Sequence, residues 1–206
     1  NVLVFNNKIY GLTKGQYSPT TPYGSITKSS PDGTIENPFK PGELVIGAEG
    51  NFFARVIDKE PRNLEKTLLA ANAHKGASIV EVLQNCVIFN DKIHESIVGK
   101  DVRDDRIIML EHGQPMIFGK ERNKGLVLDG ADLKVVTIGE NGITEKDLLV
   151  HDMTNPNPSI HYLLAKMTYP THPLAIGVIR CVEDSTYETK LQEQVDNAMA
   201  NTKIKT

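Results

Sequence analysis

Two adjacent amides, Asn6 and Asn7, close an apolar run (Val2, Leu3, Val4, Phe5), and Ile9 follows two residues on. Amide and carbonyl oxygens are hard ligands, the kind Mg²⁺ takes in octahedral geometry beside phosphate oxygens. Asn7 and the Ile9 carbonyl could offer two of them from one turn. Thr13 and Lys14 stand between Gly11 and Gly15, a glycine-punctuated segment in which backbone N–H groups can turn together on an anion. Lys14 carries a cation able to pair with a substrate carboxylate, a charge-assisted contact worth roughly 1.5–3 kcal/mol. Thr13, Gln16 and Ser18 are candidates to line the same cleft. Taken alone, the same residues also allow plainer readings. Asn is a common turn former, and a lysine in a glycine-flanked loop is often a solvated charge.

These groups need a frame. An apolar run ending in polar residues is the layout of a buried parallel strand that delivers them to the carboxyl edge of an α/β sheet, where ligands of such sheets bind. Residues 17–41 are rich in Ser, Thr, Pro and Gly and read as a long ordered loop, a type that is often functional. A short helix is expected from Pro41 to Gly50 and a strand over Asn51–Ile57. Pro61 opens a helix whose Leu64, Leu68 and Ala71 share one face, and Gly76 ends it. Ser78–Leu83 returns as a strand, so this span forms a parallel βαβ unit.

Beyond Asp91, charged and glycine-containing segments alternate with short apolar runs (Arg106–Leu110, Leu133–Ile138) and read as hairpins and loops. Asn157-Pro158 starts a helix reaching about Met167, and Leu174–Val182 forms another strand. Ser185 and Glu188 suggest a capping box for a final helix carrying Leu191, Val195 and Met199 as an apolar stripe.

Cys86 ends the string SIVEVLQNC; a lone cysteine at a strand end is ordinarily a small buried hydrophobe. Cys181, inside an apolar strand, reads as core. His74 closes a helix, where positive charge suits the dipole. His112, His151, His161 and His172 match no zinc spacing, and none stands out as a general base.

Composition narrows the field. The chain of 206 residues has a net charge of −3 and 39% hydrophobic residues, enough for a sizeable core. No basic stripe suggests nucleic acid, and no apolar run could span a bilayer. With two cysteines and no secretory pattern before the first strand, a reducing cytoplasm is the default. The chain begins at Asn1 inside a strand. The expectation is therefore the later part of a longer polypeptide, or a second chain that completes the sheet.

The string NNKIYGLTKGQYSPTTPYGS, followed by PRNLEKTLLAANAHKGASIVEVLQNCVIFND and HDMTNPNPSIHYLLAKMTYPTHPLAIGVIRC, resembles the β subunits of 2-oxoacid:ferredoxin oxidoreductases. It is most similar to the 2-oxoglutarate type, over nearly the whole chain. The resemblance implies an α/β fold with a mainly parallel sheet. Residues 1–95 would be the later half of a thiamine-diphosphate-binding domain, and 96–206 a C-terminal extension packing on it and on a partner subunit.

It further implies Mg²⁺ held by Asn7, by the Ile9 carbonyl and by an Asp of a Gly-Asp-Gly motif. Gly11, Leu12 and Thr13 would cradle the diphosphate, and Asn6 would tie the strand end to the loop. Lys14 would be the substrate handle, since a lysine matches this position in 2-oxoglutarate-type enzymes and a small residue in pyruvate-type ones. Cys86 would be one of four thiolates around a [4Fe–4S] cluster. Neither Gly-Asp-Gly nor C-x₂-C occurs in the 206 residues, so these residues by themselves are expected to bind the cofactor poorly.

The implied activity is coenzyme A-dependent oxidative decarboxylation of a 2-oxoacid. Electrons would pass through the cluster to ferredoxin, in an assembly with an α subunit. The competing readings are a thiamine-dependent decarboxylase or synthase without a cluster, and a non-catalytic interaction fragment.

Overall fold

A computed structural model describes residues 1–201. Its elements begin with β1 (Val2–Asn6), α1 (Pro41–Gly47), β2 (Phe52–Ile57), α2 (Pro61–Ala73) and β3 (Ser78–Leu83). Two short helices, α3 (Glu95–Val98) and α4 (Arg103–Arg106), lead to β4 (Ile107–Met109). Next come β5 (Ile117–Phe118), β6 (Lys124–Asp129), β7 (Asp132–Thr137), α5 (Ser159–Lys166), β8 (Leu174–Cys181) and α6 (Tyr187–Asn201).

The main sheet has five strands in the order β1-β3-β2-β8-β4, and β2 against β8 is its one antiparallel ladder. The fold is thus α/β on a mostly parallel sheet, as the sequence suggested. Strands from both sides of residue 95 join this sheet, because β4 and β8 complete it. β5, β6 and β7 form a separate antiparallel sheet of three strands.

Burial explains the central strands. Every residue of β2 is buried, which suits an apolar run flanked by strands on both edges and helices on both faces. Strand alternation sends neighbouring Phe52 and Phe53 to opposite sides. Phe52, with Ala54, Val56, Val80 and Val82, packs against Leu64, Leu68 and Ala71 of α2. Phe53 packs against Ile46 of α1 and Leu164 and Ala165 of α5. Burying each of these phenylalanines is worth about 1.5–3 kcal/mol. Pro61 sits at the start of α2, where its missing N–H costs nothing. The long segment between β1 and α1 contains no helix or strand longer than a bridge.

Three local expectations are corrected. β1 was expected to be buried, yet Val2 is 54% and Phe5 61% exposed. β3 is its only strand neighbour, so among the described residues nothing covers its outer side. The cap of α6 is Thr186, whose Oγ1 accepts the Thr189 N–H at 3.3 Å; Ser185 instead donates its N–H to Asp184 at 2.7 Å. The stripe of Leu191, Val195 and Met199 lies exposed and does not turn into the core. No helix of the described residues is long and apolar enough to cross a membrane.

Candidate active site

The site lies where β1 and β3 end side by side. Asn6 pairs with Leu83 across the ladder, and the Gln84 N–H donates to the Asn6 carbonyl at 3.2 Å. Asn6 is buried, and its side chain is spent inside the protein. Its Nδ2 donates to Glu81 Oε1 at 2.7 Å, while its Oδ1 accepts from Thr20 Oγ1 at 2.8 Å. Asn6 therefore ties the strand end to the loop, as expected.

Asn7 is held differently. Its Nδ2 donates to Gln84 Oε1 at 3.1 Å, and its Oδ1 accepts the Ile9 N–H at 3.2 Å. One lone pair of that oxygen is left over, and the orientation of the amide is set at both ends. The carbonyls of the turn then divide. Those of Asn7 and Lys8 accept from Asn90 Nδ2 at 2.9 and 3.3 Å, and Thr21 Oγ1 also donates to Lys8 at 2.7 Å. Among the described residues, no donor reaches the Ile9 carbonyl. Asn7 Oδ1 and the Ile9 carbonyl thus both keep capacity to accept, and both suit a hard cation.

Lys8, between them, adopts a left-handed backbone (φ 55°), a conformation rare for a side-chain-bearing residue. The Thr21 and Asn90 bonds to its carbonyl hold that turn. Burial keeps the Lys8 ammonium below the ordinary lysine value, against the opposing pull of Glu81.

The following loop closes on itself. Tyr10 N–H donates to the Gln16 carbonyl at 2.8 Å, Lys14 N–H to Gly11 and Gly15 N–H to Tyr10, both at 3.0 Å. Among the described residues, the intervening N–H groups of Gly11, Leu12 and Thr13 donate to no protein acceptor. Three consecutive N–H groups of this loop are thus free of protein acceptors, the donor type that anion-binding loops present. The Leu12 side chain is 98% exposed, so only its backbone can serve. Gly15 has φ +100°, a region open to glycine at little cost. Lys14 itself is left-handed (φ 59°).

A cavity of about 380 Å³ adjoins the turn, lined by Ile9, Lys14, Ser25, Thr27, Lys28 and Phe89 among others. Thr13, Gln16 and Ser18 are not part of its wall. Ser18 is buried and turns its hydroxyl to Thr20 and Thr21 at 3.1 and 3.2 Å.

Cys86 is half-buried in the segment after β3, and its carbonyl accepts the Asn90 N–H at 2.9 Å. Asn90 thereby links the Cys86 turn to the Asn7 carbonyl. Cys181 packs against the Phe52 cluster, with its thiol pushed up by burial; it is core, as expected. His74 caps α2 as expected, but burial lowers its pKa; the positive charge anticipated there is disfavoured. Among the described residues no cluster of three His, Cys, Asp or Glu could hold a metal by side chains alone.

The sequence reading passed over the groups beneath the turn. In β2 and β3, Arg55 and Glu81 face each other in register with Val4 of β1. Arg55 Nε bonds Glu81 Oε2 at 2.7 Å, and its Nη atoms donate to the carbonyls of Ala175 and Ala165 at 3.3 and 3.2 Å. Burial alone would push the Glu81 carboxyl up; Arg55 and Asn6 outweigh it and hold it below the usual range. His94, also buried, bonds the Asn6 carbonyl through Nε2 at 2.8 Å. The available signal was a charged residue in each of two otherwise apolar strands, NFFARVI and SIVEVL.

Residues 1–82 match the family described as the C-terminal TPP binding domain of thiamine pyrophosphate enzymes. The chain is 37% identical over 195 residues to the 2-oxoglutarate oxidoreductase subunit KorB of Mycobacterium tuberculosis, covering 94% of this chain and 52% of that one. It is 45% identical over 84 residues to the 2-oxoglutarate synthase subunit KorB of Archaeoglobus fulgidus, covering 41% and 32%. The 2-oxoacid:ferredoxin oxidoreductase 1 subunit beta of Aeropyrum pernix matches at 40% over 110 residues, covering 53% and 33%.

Among solved structures, a 2-oxoglutarate:ferredoxin oxidoreductase from Magnetococcus marinus with 2-oxoglutarate, coenzyme A and succinyl-CoA bound shares the fold. Its TM-score is 0.66 at 20% identity, covering 98% of this chain and 54% of that one. The chain thus spans about half the length of the Mycobacterium relative, and less of the other two.

Proposed function

We propose, because this chain belongs to the family of 2-oxoacid:ferredoxin oxidoreductase β subunits, that with an α subunit it oxidatively decarboxylates a 2-oxoacid, 2-oxoglutarate by preference. The overall change is a 2-oxoacid and coenzyme A to an acyl-CoA, CO₂, a proton and two electrons, the electrons passing to ferredoxin. The observation that carries this reading is the pair of spare oxygens, Asn7 Oδ1 and the Ile9 carbonyl. They stand next to three free N–H groups and a lysine-lined cavity.

Those residues fit Mg²⁺ and a diphosphate. Asn7 and Ile9 would hold the metal, and the Gly11, Leu12 and Thr13 amides the diphosphate oxygens. Thiamine diphosphate, when bound, supplies the carbanion nucleophile and electron sink that such decarboxylation needs. The chain's own part is placement. Gln84 and the Ile9 N–H fix the Asn7 amide, and Asn90 and Thr21 fix the turn. Glu81 and Thr20 lock Asn6 below it. Lys14 orients the acid by pairing with a carboxylate.

The described residues fall short of a complete [4Fe–4S] site. A cluster takes four thiolates, and Cys86 is the single cysteine at this edge among the described residues. Cys86 is proposed as one contributed ligand, and the α subunit is proposed to pack against the part of the chain after residue 95, whose β4 and β8 are themselves strands of the main sheet. The test is the intact complex purified with this chain. Reduction of a viologen dye that requires 2-oxoglutarate, coenzyme A and thiamine diphosphate together supports the function; dye reduction without coenzyme A, or none, contradicts it.

A further inference from the structure

The cavity beside the Asn7–Ile9 turn holds two lysines. Lys14 enters from the Gly11–Gly15 loop and Lys28 from the tight turn in which Thr27 and Ser30 exchange N–H···O bonds at 3.1 Å. Neither makes an ion pair among the described residues. No Asp or Glu lines the cavity. An anion entering this cavity would therefore meet two lysines and no carboxylate.

The Lys28 stem runs beside the Gly15 loop. A side chain built on Gly15 would meet the Lys28 stem at 3.9 Å and the Phe89 ring at 3.6 Å, so stem and ring close over the same glycine. The Lys28 methylenes are thereby packed while its ammonium stays free to reach the ligand. The hydroxyl residues Ser25 and Thr27 and the apolar Ile88 and Phe89 also line the cavity. At its inner end, Ile9 and Asn90 connect the cavity to the Asn7–Ile9 turn.

We propose that Lys28 is a specificity-determining residue. With Lys14 it forms a two-cation clamp on the distal carboxylate of a dicarboxylic 2-oxoacid. The apolar Ile88 and Phe89 take the intervening methylenes, and the keto end points to the Asn7–Ile9 turn. This rests on the 2-oxoacid oxidoreductase reading above and names its substrate class. A monocarboxylic 2-oxoacid would leave both ammonium groups unanswered.

The test uses the assembled complex with Lys28→Met, which keeps the packed stem, and Lys28→Arg, which keeps the charge. The ratio of kcat/KM for 2-oxoglutarate to that for 2-oxobutyrate should fall at least tenfold in Lys28→Met, through KM for 2-oxoglutarate. It should largely recover in Lys28→Arg. An unchanged ratio, or a rise confined to the KM for coenzyme A, would overturn the clamp while leaving the proposed function standing. The second result would mark the cavity as a phosphate site for coenzyme A. Inactivity of the unaltered complex on every 2-oxoacid would overturn the function and the clamp together.

Discussion

Asn6 Nδ2 and Glu81 Oε1 lie 2.7 Å apart, joining the last residue of β1 to the middle of β3. Glu81 in turn holds Arg55, whose guanidinium reaches the carbonyls of Ala165 and Ala175. One buried chain of bonds therefore runs from α5 and β8 to the strand end that carries the Asn7–Ile9 turn. It makes the turn's geometry depend on packing at the far side of the sheet.

Replacing Arg55 with Met would leave Glu81 buried with no counter-charge. Breaking such a pair costs roughly 3–5 kcal/mol, while replacing both partners by apolar residues costs far less. Arg55→Met should lower the chemical-denaturation stability by about that much, and Arg55→Met with Glu81→Leu should regain most of it. The double variant still removes the acceptor of Asn6 Nδ2, so its thiamine diphosphate affinity should remain weaker than that of the unaltered protein. Equal stability of single and double variants would show that the pair carries no coupled charge.

Lys14→Ala removes one carboxylate partner from the cavity. A charge-assisted bond of roughly 1.5–3 kcal/mol corresponds to a rise of about ten- to a hundredfold in the KM for 2-oxoglutarate. Steady-state kinetics on the complex measure it. An unchanged KM would return Lys14 to the status of a solvated loop residue.

Cys86→Ser exchanges the proposed thiolate ligand for a weak hydroxyl donor. Iron per complex and the cluster's visible absorbance should both drop, with thiamine diphosphate binding largely retained because Asn7 and Ile9 are untouched. Full iron content in the variant would make Cys86 a packing residue.

Acid should destabilise the fold early. Burial holds His94, His151 and His161 below the ordinary imidazole range. For His161 the geometry agrees, because Arg180 Nη1 donates to its Nδ1 at 2.9 Å while its Nε2 bonds the Asp152 carbonyl at 2.7 Å. A proton on Nδ1 would face the guanidinium. In the unfolded chain these histidines take up protons near pH 6.5; folded, they do so only at lower pH. Between those two values the unfolded state binds more protons, so stability falls as pH falls, by at most about 1.4 kcal/mol per pH unit for each histidine. Above about pH 6.5 they add no slope. Urea titrations from pH 8 to pH 5 should be flat, then decline; a rise on acidification would contradict this.

Much of the frame was legible in the sequence because local rules decided it. Pro61 with Leu64, Leu68 and Ala71 marked α2 and its buried face, and the apolar runs marked β2, β3 and β8. Three features had to be seen in space. The exposure of β1 depends on which strand lies beside it, and a run such as VLVF reads the same at an edge as in the centre. The seat of β8, antiparallel to β2 and parallel to β4, is set by the long chain path from residue 84 to residue 173. The pairing of Asn6 with Glu81 spans 75 residues, beyond any local pattern. Within the site, Asn7, Ile9 and Lys14 were singled out from spacing and resemblance, whereas Lys28, Asn90 and His94 reach it from loops with no periodic signal.

The claim at the centre is that Asn7 and the Ile9 carbonyl hold the metal of a bound diphosphate cofactor. It is tested most directly by titrating the complex with thiamine diphosphate in the presence of Mg²⁺, comparing the unaltered chain with Asn7→Leu and Asn7→Asp. The account expects Asn7→Leu to weaken binding at least tenfold and Asn7→Asp, which keeps a ligand oxygen, to bind well. Equal affinity in all three would contradict it.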